Sequence, residues 1–216
     1  MPINDISILG TNGNGLFGTG TSKTWAQMRA LTSGKTSIVD GSSFRTQSTS
    51  LAALGGVYEY FHTLFQFDTS NISNATAAEF RINCTSVSSA PLQPKVLLVK
   101  GDCTPPFSAS NGLNRMLNWP SSPTAYSSTT PSLSTGMVSI TLNATGISDI
   151  NSGNTFQVYL IDSHQASDAT APTGTDDYKA IFDDTNLALR VTTPDLGGFI
   201  NLSSGKIEIL NGKISL

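Results

Sequence analysis

Charge is scarce in this sequence. Of 216 residues, 12 are Lys or Arg and 15 are Asp or Glu, so charged residues make up 12% of the chain, where about 25% is usual for a globular domain. The net charge is −3 and no basic cluster stands out. A phosphate backbone therefore finds no field to hold it, and nucleic acid is not expected as a partner. Histidine and cysteine are just as sparse, with His62, His164, Cys84 and Cys103 scattered along the chain. Zinc needs such ligands clustered, and a disulfide framework needs more of them. The Cys84 and Cys103 positions around a hairpin turning near Ala90-Pro91 do not bring the two thiols opposite one another, so two buried or half-buried thiols are expected. No Gly-x-Ser-x-Gly elbow and no phosphate-binding Gly-Lys-Ser/Thr loop occur. Glu59, Glu79 and Glu208 are isolated, whereas a glycosidase needs two opposed carboxylates in one cleft. Sets of acid, base and nucleophile are missing, and the chain is expected not to be an enzyme.

Long apolar runs are also absent. The longest aliphatic stretch is Val96-Leu97-Leu98-Val99, far below the roughly 18 residues that would span a bilayer. The start, MPINDISILG, carries no basic residue before Lys23, and a secretory signal would begin with positive charge followed by about 7–15 apolar residues. Neither membrane insertion nor export by that route is expected. The Asn-x-Ser/Thr sequons at Asn71, Asn74, Asn83, Asn143 and Asn201 then read as a by-product of composition.

What fills the sequence is small and polar: 29 Ser, 26 Thr, 19 Gly and 15 Asn. Thr suits pleated surfaces, and Gly, Asn and Ser suit turns. Strong helix formers are not abundant enough for a bundle. Residues 1–24 (with GTNGNGLFGTGTSKT) hold little to bury and are expected to form an extended N-terminal arm. Thr24 to Leu31 is the one helical candidate, a capping Thr followed by Trp25, Met28 and Leu31. Strand signals then follow at 57–68, 78–87, 94–100, 137–143, 155–161, 178–182 and 187–192. Residues 57–68 alternate with Phe65 and Phe67 inward, and 78–87 place Phe80, Ile82 and Cys84 on one face. A long Pro- and Ser/Thr-rich loop covers 101–135. The expected architecture is an all-β, jelly-roll-like antiparallel β-sandwich over 25–195. After Pro194, the repeats Gly205-Lys-Ile-Glu-Ile and Gly212-Lys-Ile-Ser-Leu predict a C-terminal β-ribbon over 196–216, which needs a surface to lie on.

Two constellations could bind something. Asp176, Asp177, Asp183 and Asp184 flank the strand 178–182 and could offer oxygens to a structural calcium. The same residues also break and cap β-segments. Trp25, Trp119, Tyr126 and Tyr178 lie in loops or at strand ends, where ring faces could meet sugar rings or anchor the loops to the body.

The run Leu64-Phe-Gln-Phe-Asp-Thr-Ser-Asn-Ile72, followed by Ala75-Thr-Ala-Ala-Glu-Phe-Arg-Ile82, resembles the Phe-Asp-x-Ser-x-Ile signature of DNRLRE-type jelly-roll domains. The similarity extends over about residues 36–193, and its specific part is Phe67-Asp68-Thr69-Ser70 with Ile72. The sequence departs from the pattern at His62 or Thr63, where the family carries Arg, and at Ile140-Thr-Leu-Asn, where it carries Asp-Val-Thr. The resemblance implies a carbohydrate-binding-like module, or a structural protein of a tailed bacteriophage. Arm and ribbon favour the second: a virion subunit, made in the host cytoplasm, bound to other capsid or tail proteins and to itself. The alternative is an adhesive module for cell-surface glycans, with calcium as its candidate ion.

Overall fold

The computed structural model describes residues 2–7, 13–18, 24–29, 43–51, 57–89, 93–101, 124–163, 178–194, 198–202, 205–210 and 213–215. Most of these are in antiparallel strands, packed as an all-β sandwich. One layer, sheet A, is built on β9 (Ala180–Thr192), with β5 (Ala77–Val87) and then β7 (Gly136–Thr141) on one side. On the other side of β9 lie β1 (Ile3–Ile6) and the first half of β3 (Ser43–Leu51), end to end. The second layer, sheet B, is built on β4 (Val57–Asp68), flanked by β2 (Gly13–Gly18), by β8 (Thr155–Asp162) and, beyond β8, by β6 (Val96–Lys100). β3 joins the layers: Ser43–Thr46 pair with β9, and Gln47–Leu51 pair with β4.

The period-two pattern explains the core between the layers. Phe80, Ile82 and Cys84 of β5 face Phe65 and Phe67 of β4, with Phe182, Leu189 and Val191 of β9 and Val158 and Leu160 of β8 completing it. Ring edges lock the middle, with Phe65 5.1 Å from Phe80 and 5.0 Å from Phe44 between centroids. The two outer faces differ. Sheet A presents a ladder of three charges and a hydroxyl to water, in the order Asp5, Arg190, Glu79 and Thr141 across four strands, and the Arg190 guanidinium binds both Asp5 oxygens at 2.8 and 2.9 Å. Sheet B is buried on its outer face as well: Tyr60, His62, Leu64, Leu97, Val99, Tyr159 and Ile161 are all buried although they point away from the core. The helix α1 (Trp25–Arg29) contributes Trp25 to this second layer, 5.5 Å from the Tyr58 ring and edge-on to Tyr60. Its start is a capping box, Thr24 and Gln27 each bonding the other's main-chain N–H.

Several expectations change. The hairpin expected between 78–87 and 94–100 does not form, because β5 lies in sheet A and β6 in sheet B. β6 is buried on both faces, which a place beside β8 under the covering segment 124–133 satisfies and an exposed hairpin would not. The separate strands expected at 178–182 and 187–192 are one strand, β9, carried through Asp183–Asn186 by register shifts against β5 and a left-handed Asn186 at φ 56°. The N-terminal arm is not loose over its described parts: β1 adds to β9 and β2 to β4 of the same chain. β3 has no counterpart among the expected strands: Ser-Phe-Arg-Thr-Gln-Ser-Thr-Ser-Leu is mostly small and polar, yet Phe44 and Thr46 are buried. In the tail, β10 (Gly198–Leu202), β11 (Gly205–Leu210) and β12 (Lys213–Ser215) form a three-stranded antiparallel sheet, one strand more than a two-stranded ribbon.

Candidate functional site

The motif that carried the family resemblance is a corner. Asp68 ends β4, and its Oδ1 accepts from the N–H of Ser70 at 2.9 Å, an Asx turn that favours Asp and a small polar residue after it. The Ser70 hydroxyl first, and then this N–H, hold the Asp68 carboxyl below its ordinary pKa. The Thr69 amide and hydroxyl both donate to the Asn154 carbonyl, and Ile72 folds back onto the core. A left-handed Asn74, at φ 68°, leads into β5.

Against this corner sits the helix α2 (Ala144–Ile150). Asn143 caps it, its Oδ1 accepting from the N–H groups of Thr145 and Gly146, both at 3.0 Å. The same side chain donates to the Ala125 carbonyl at 2.8 Å, and the Asn143 N–H donates to the Tyr126 carbonyl at 2.7 Å. One asparagine thus ties the helix to the segment that runs along the free side of β6. That segment satisfies the β6 edge: Lys100 N–H reaches Thr124 O, Tyr126 N–H reaches Leu98 O, and Thr130 N–H reaches Val96 O.

Where these pieces meet, a cleft of about 230 Å³ opens, lined by Lys100, Gly101, Tyr126, Asp149, Ser152, Asn154, Thr155, Phe156 and Gln157. Its floor is the Tyr126 ring stacked on Phe156 at 5.1 Å. Its charge centre is Asp149, whose Oδ2 accepts from Lys100 Nζ at 2.7 Å and from the Tyr126 hydroxyl. Burial alone would raise the Asp149 pKa, but the Lys100 and Tyr126 bonds outweigh it and hold the carboxyl below its usual value. Burial first, and then the Asp149 carboxylate, push the Tyr126 phenol well up, so it stays protonated as a donor. Gly101 forms a tight wall, since a Cβ there would lie 2.6 Å from Gln157 Cβ and 3.0 Å from the Gln157 carbonyl carbon. The cleft is smaller than the roughly 300–1,000 Å³ of drug-sized pockets and polar around an aromatic base. It can hold one small hydroxylated or charged group.

Because the Asp149 pKa is lowered in the folded chain, its ionised contacts stabilise the fold above the unfolded value and are lost as pH falls through the folded value. Asp149→Asn should therefore lower Tm at pH 7, and the gap from wild type should close on acidification below about pH 4. Thermal unfolding of both proteins across pH 2–8 measures this. A gap that stays constant with pH would mean that the Asp149 charge contributes nothing.

Of the sequence candidates, Tyr126 is 1% exposed and offers the cleft its hydroxyl rather than a ring face. Trp25 is 3% exposed, packed against Tyr58 and Tyr60. Both rings are occupied as anchors, so neither presents a face to a sugar. Tyr178 is half-buried at φ 50°, just before β9. Trp119, like Cys103 and His164, lies outside the described residues. The expected calcium set is split in the same way, with Asp176 and Asp177 outside the described residues. Asp183 Oδ1 and Oδ2 both accept from Asn83 Nδ2 at 3.1 Å, and Oδ1 also from Thr185 N–H at 2.9 Å, while Asp184 is exposed. Among the described residues no three His, Cys, Asp or Glu side chains converge. Cys84 is a buried free thiol whose pKa burial raises.

The residues that sequence reading missed are Lys100, Asp149, Ser152, Asn154 and Gln157. The one local signal was an Asn ahead of Ile147 and Ile150 at helical spacing, hidden among the weak helix formers Thr, Gly, Ser and Asp. No protein-family model matches the chain, and no curated protein matches it.

Proposed function

We infer that this chain is a non-enzymatic structural subunit of a bacteriophage virion, a sandwich that decorates the capsid or belongs to a fibre or tail appendage. Its C-terminal segment makes the attachment. The observation that carries this reading is the C-terminal sheet β10–β12. Among the described residues its strands pair only with one another, and its register sets Ile200 opposite Ile207 and Ile209 opposite Ile214. Three short strands with aliphatic residues in register gain stability by lying on a further surface, which a neighbouring subunit or particle protein provides. The low charge and the Ser/Thr-rich composition are compatible with a packed lattice, and the DNRLRE-like corner at Asp68–Ile72 supports the sandwich half of the reading. Deleting 197–216 should abolish incorporation into particles while far-UV circular dichroism and Tm of the sandwich stay near wild type. Full incorporation of the truncated chain, or collapse of the whole domain, would overturn it.

The cleft favours a second reading, an adhesive carbohydrate-binding module. Lys100, Asp149, Asn154 and Gln157 around the Tyr126 hydroxyl are convergent polar groups of the kind that sugar hydroxyls use. Lys100→Ala should then lower glycan binding tenfold or more with little loss of Tm, because a half-exposed ion pair contributes about 1 kcal/mol or less to stability. No measurable glycan binding by the intact chain removes this reading.

A further inference from the structure

The edges of the sandwich are treated unequally. The free side of β6 is covered by residues 124–133, whose main chain and hydroxyls bond it from Pro94 to Lys100. The far side of β9 is taken by β1 and β3. The outer edge of β7 is different. Leu142 N–H donates to Ala78 O at 2.9 Å, which makes 142 and 78 a hydrogen-bonded pair. In an antiparallel ladder such pairs alternate. With the register Ile140↔Phe80 and Val138↔Ile82, the main-chain groups of Ile140 and Val138 then point toward β5. Those of Met137, Ser139 and Thr141 point away from it. No described residue bonds them through its main chain, and Gly136, Met137, Ser139 and Thr141 are exposed, Met137 at 41%.

Soluble proteins blunt such edges with Lys, Pro, bulges or inward charge. The strand Gly136-Met-Val-Ser-Ile-Thr141 has none of these. We propose that the β7 edge is a self-association surface, where β7 of a second copy of this chain adds antiparallel across a two-fold axis at Ser139. That register uses every outward-facing residue: Ser139 opposite Ser139 of the second copy, and Met137 opposite Thr141 on both sides. On the inner face it sets Val138, which is half-buried, opposite Ile140, so the core continues across the axis. A second copy is the occupant because the edge is self-complementary and uncharged. Glu79 and Arg81 stand one strand back on β5, so no two like charges meet directly opposite one another, as cross-strand pairing requires. The interaction is isologous and closes on itself. It is independent of the C-terminal sheet and holds whether the subunit belongs to a particle or binds glycans.

The test is light scattering behind size exclusion on the full chain, loaded from about 1 to about 100 µM, the range in which a small interface is populated. The wild type should move from one to two chain masses as concentration rises. Ser139→Lys sets two ammonium groups across the axis and should weaken association at least tenfold with an unchanged Tm, since the side chain is exposed. The register has its own readout. Directly opposite Cα atoms about 5.5 Å apart suit a disulfide, so Ser139→Cys should oxidise to a covalent dimer on a non-reducing gel, whereas Ser132→Cys, on an exposed bend outside the paired strand, should not. A chain that stays monomeric throughout would leave the edge to a strand of another protein and overturn the proposal. So would association that Ser139→Lys leaves intact, or a Ser139→Cys chain that fails to cross-link.

Discussion

Phe80→Ala should lower the unfolding free energy by about 3–5 kcal/mol, the usual range for deleting a buried phenylalanine. Phe80 is fully buried. It sits in register between Ile140 of β7 and Leu189 of β9 and reaches across the layers to Phe65 at 5.1 Å and Phe67 at 6.2 Å. These neighbours belong to two sheets and cannot close together over the gap, so the cavity cost adds to the lost transfer energy. Urea titration should show a lower midpoint with an unchanged slope. Thr141→Ala, an exposed change on the adjacent strand, should stay within about 0.5 kcal/mol. A Phe80→Ala loss below about 1 kcal/mol would mean that the two layers are not packed through this ring.

Asn151→Ala should cost about 2–4 kcal/mol for a different reason. Asn151 ends α2, and its side-chain amide copies a strand pairing: Oδ1 accepts from Ala75 N–H at 2.6 Å and Nδ2 donates to Ala75 O at 3.0 Å. Ala75 is buried, and a buried main-chain group left without a partner costs about 1–3 kcal/mol. Asn151→Asp keeps the acceptor and loses the donor, so it should fall between wild type and Asn151→Ala. The loss should also reach the cleft, since Ser152 and Asn154 follow directly in the same turn. Chemical denaturation of the three proteins decides the order, and equal stability for all three would show that the clamp does not hold the corner to the helix.

The two predictions separate what was legible from what was not. Local pattern alone places Phe80 in the core, because Phe80, Ile82 and Cys84 alternate with Arg81 and Asn83. Asn151 could not, because its partner lies 76 residues away and nothing in Asn-Ser-Gly-Asn marks it as more than a turn. The Asp68–Ile72 motif was recognisable because an Asx turn is made by neighbours in sequence. Its contact with Asn154 was invisible for the opposite reason. Trp25 and Tyr126 stand out in the sequence as large rings that could meet sugar or anchor their segments, but a ring in a loop sequence carries no label saying which way it faces, and both are buried. Their burial is a property of the layer they cover.

By itself, then, the sequence determined the all-β class, most of the strands, the inward faces of β4 and β5, and the capped turn at Thr24. Each of these rests on interactions within a few residues: side-chain alternation, turn chemistry and capping bonds. Only the tertiary structure decided that β5 pairs with β9 and not with β6, that β3 serves both sheets, that both faces of β4 are buried, and that Lys100 and Asp149 meet over Tyr126. Those outcomes turn on which distant apolar faces bury one another. Loop-closure entropy grows slowly with loop length, so the chain meets little penalty for choosing a far strand over a near one, and burial makes the choice.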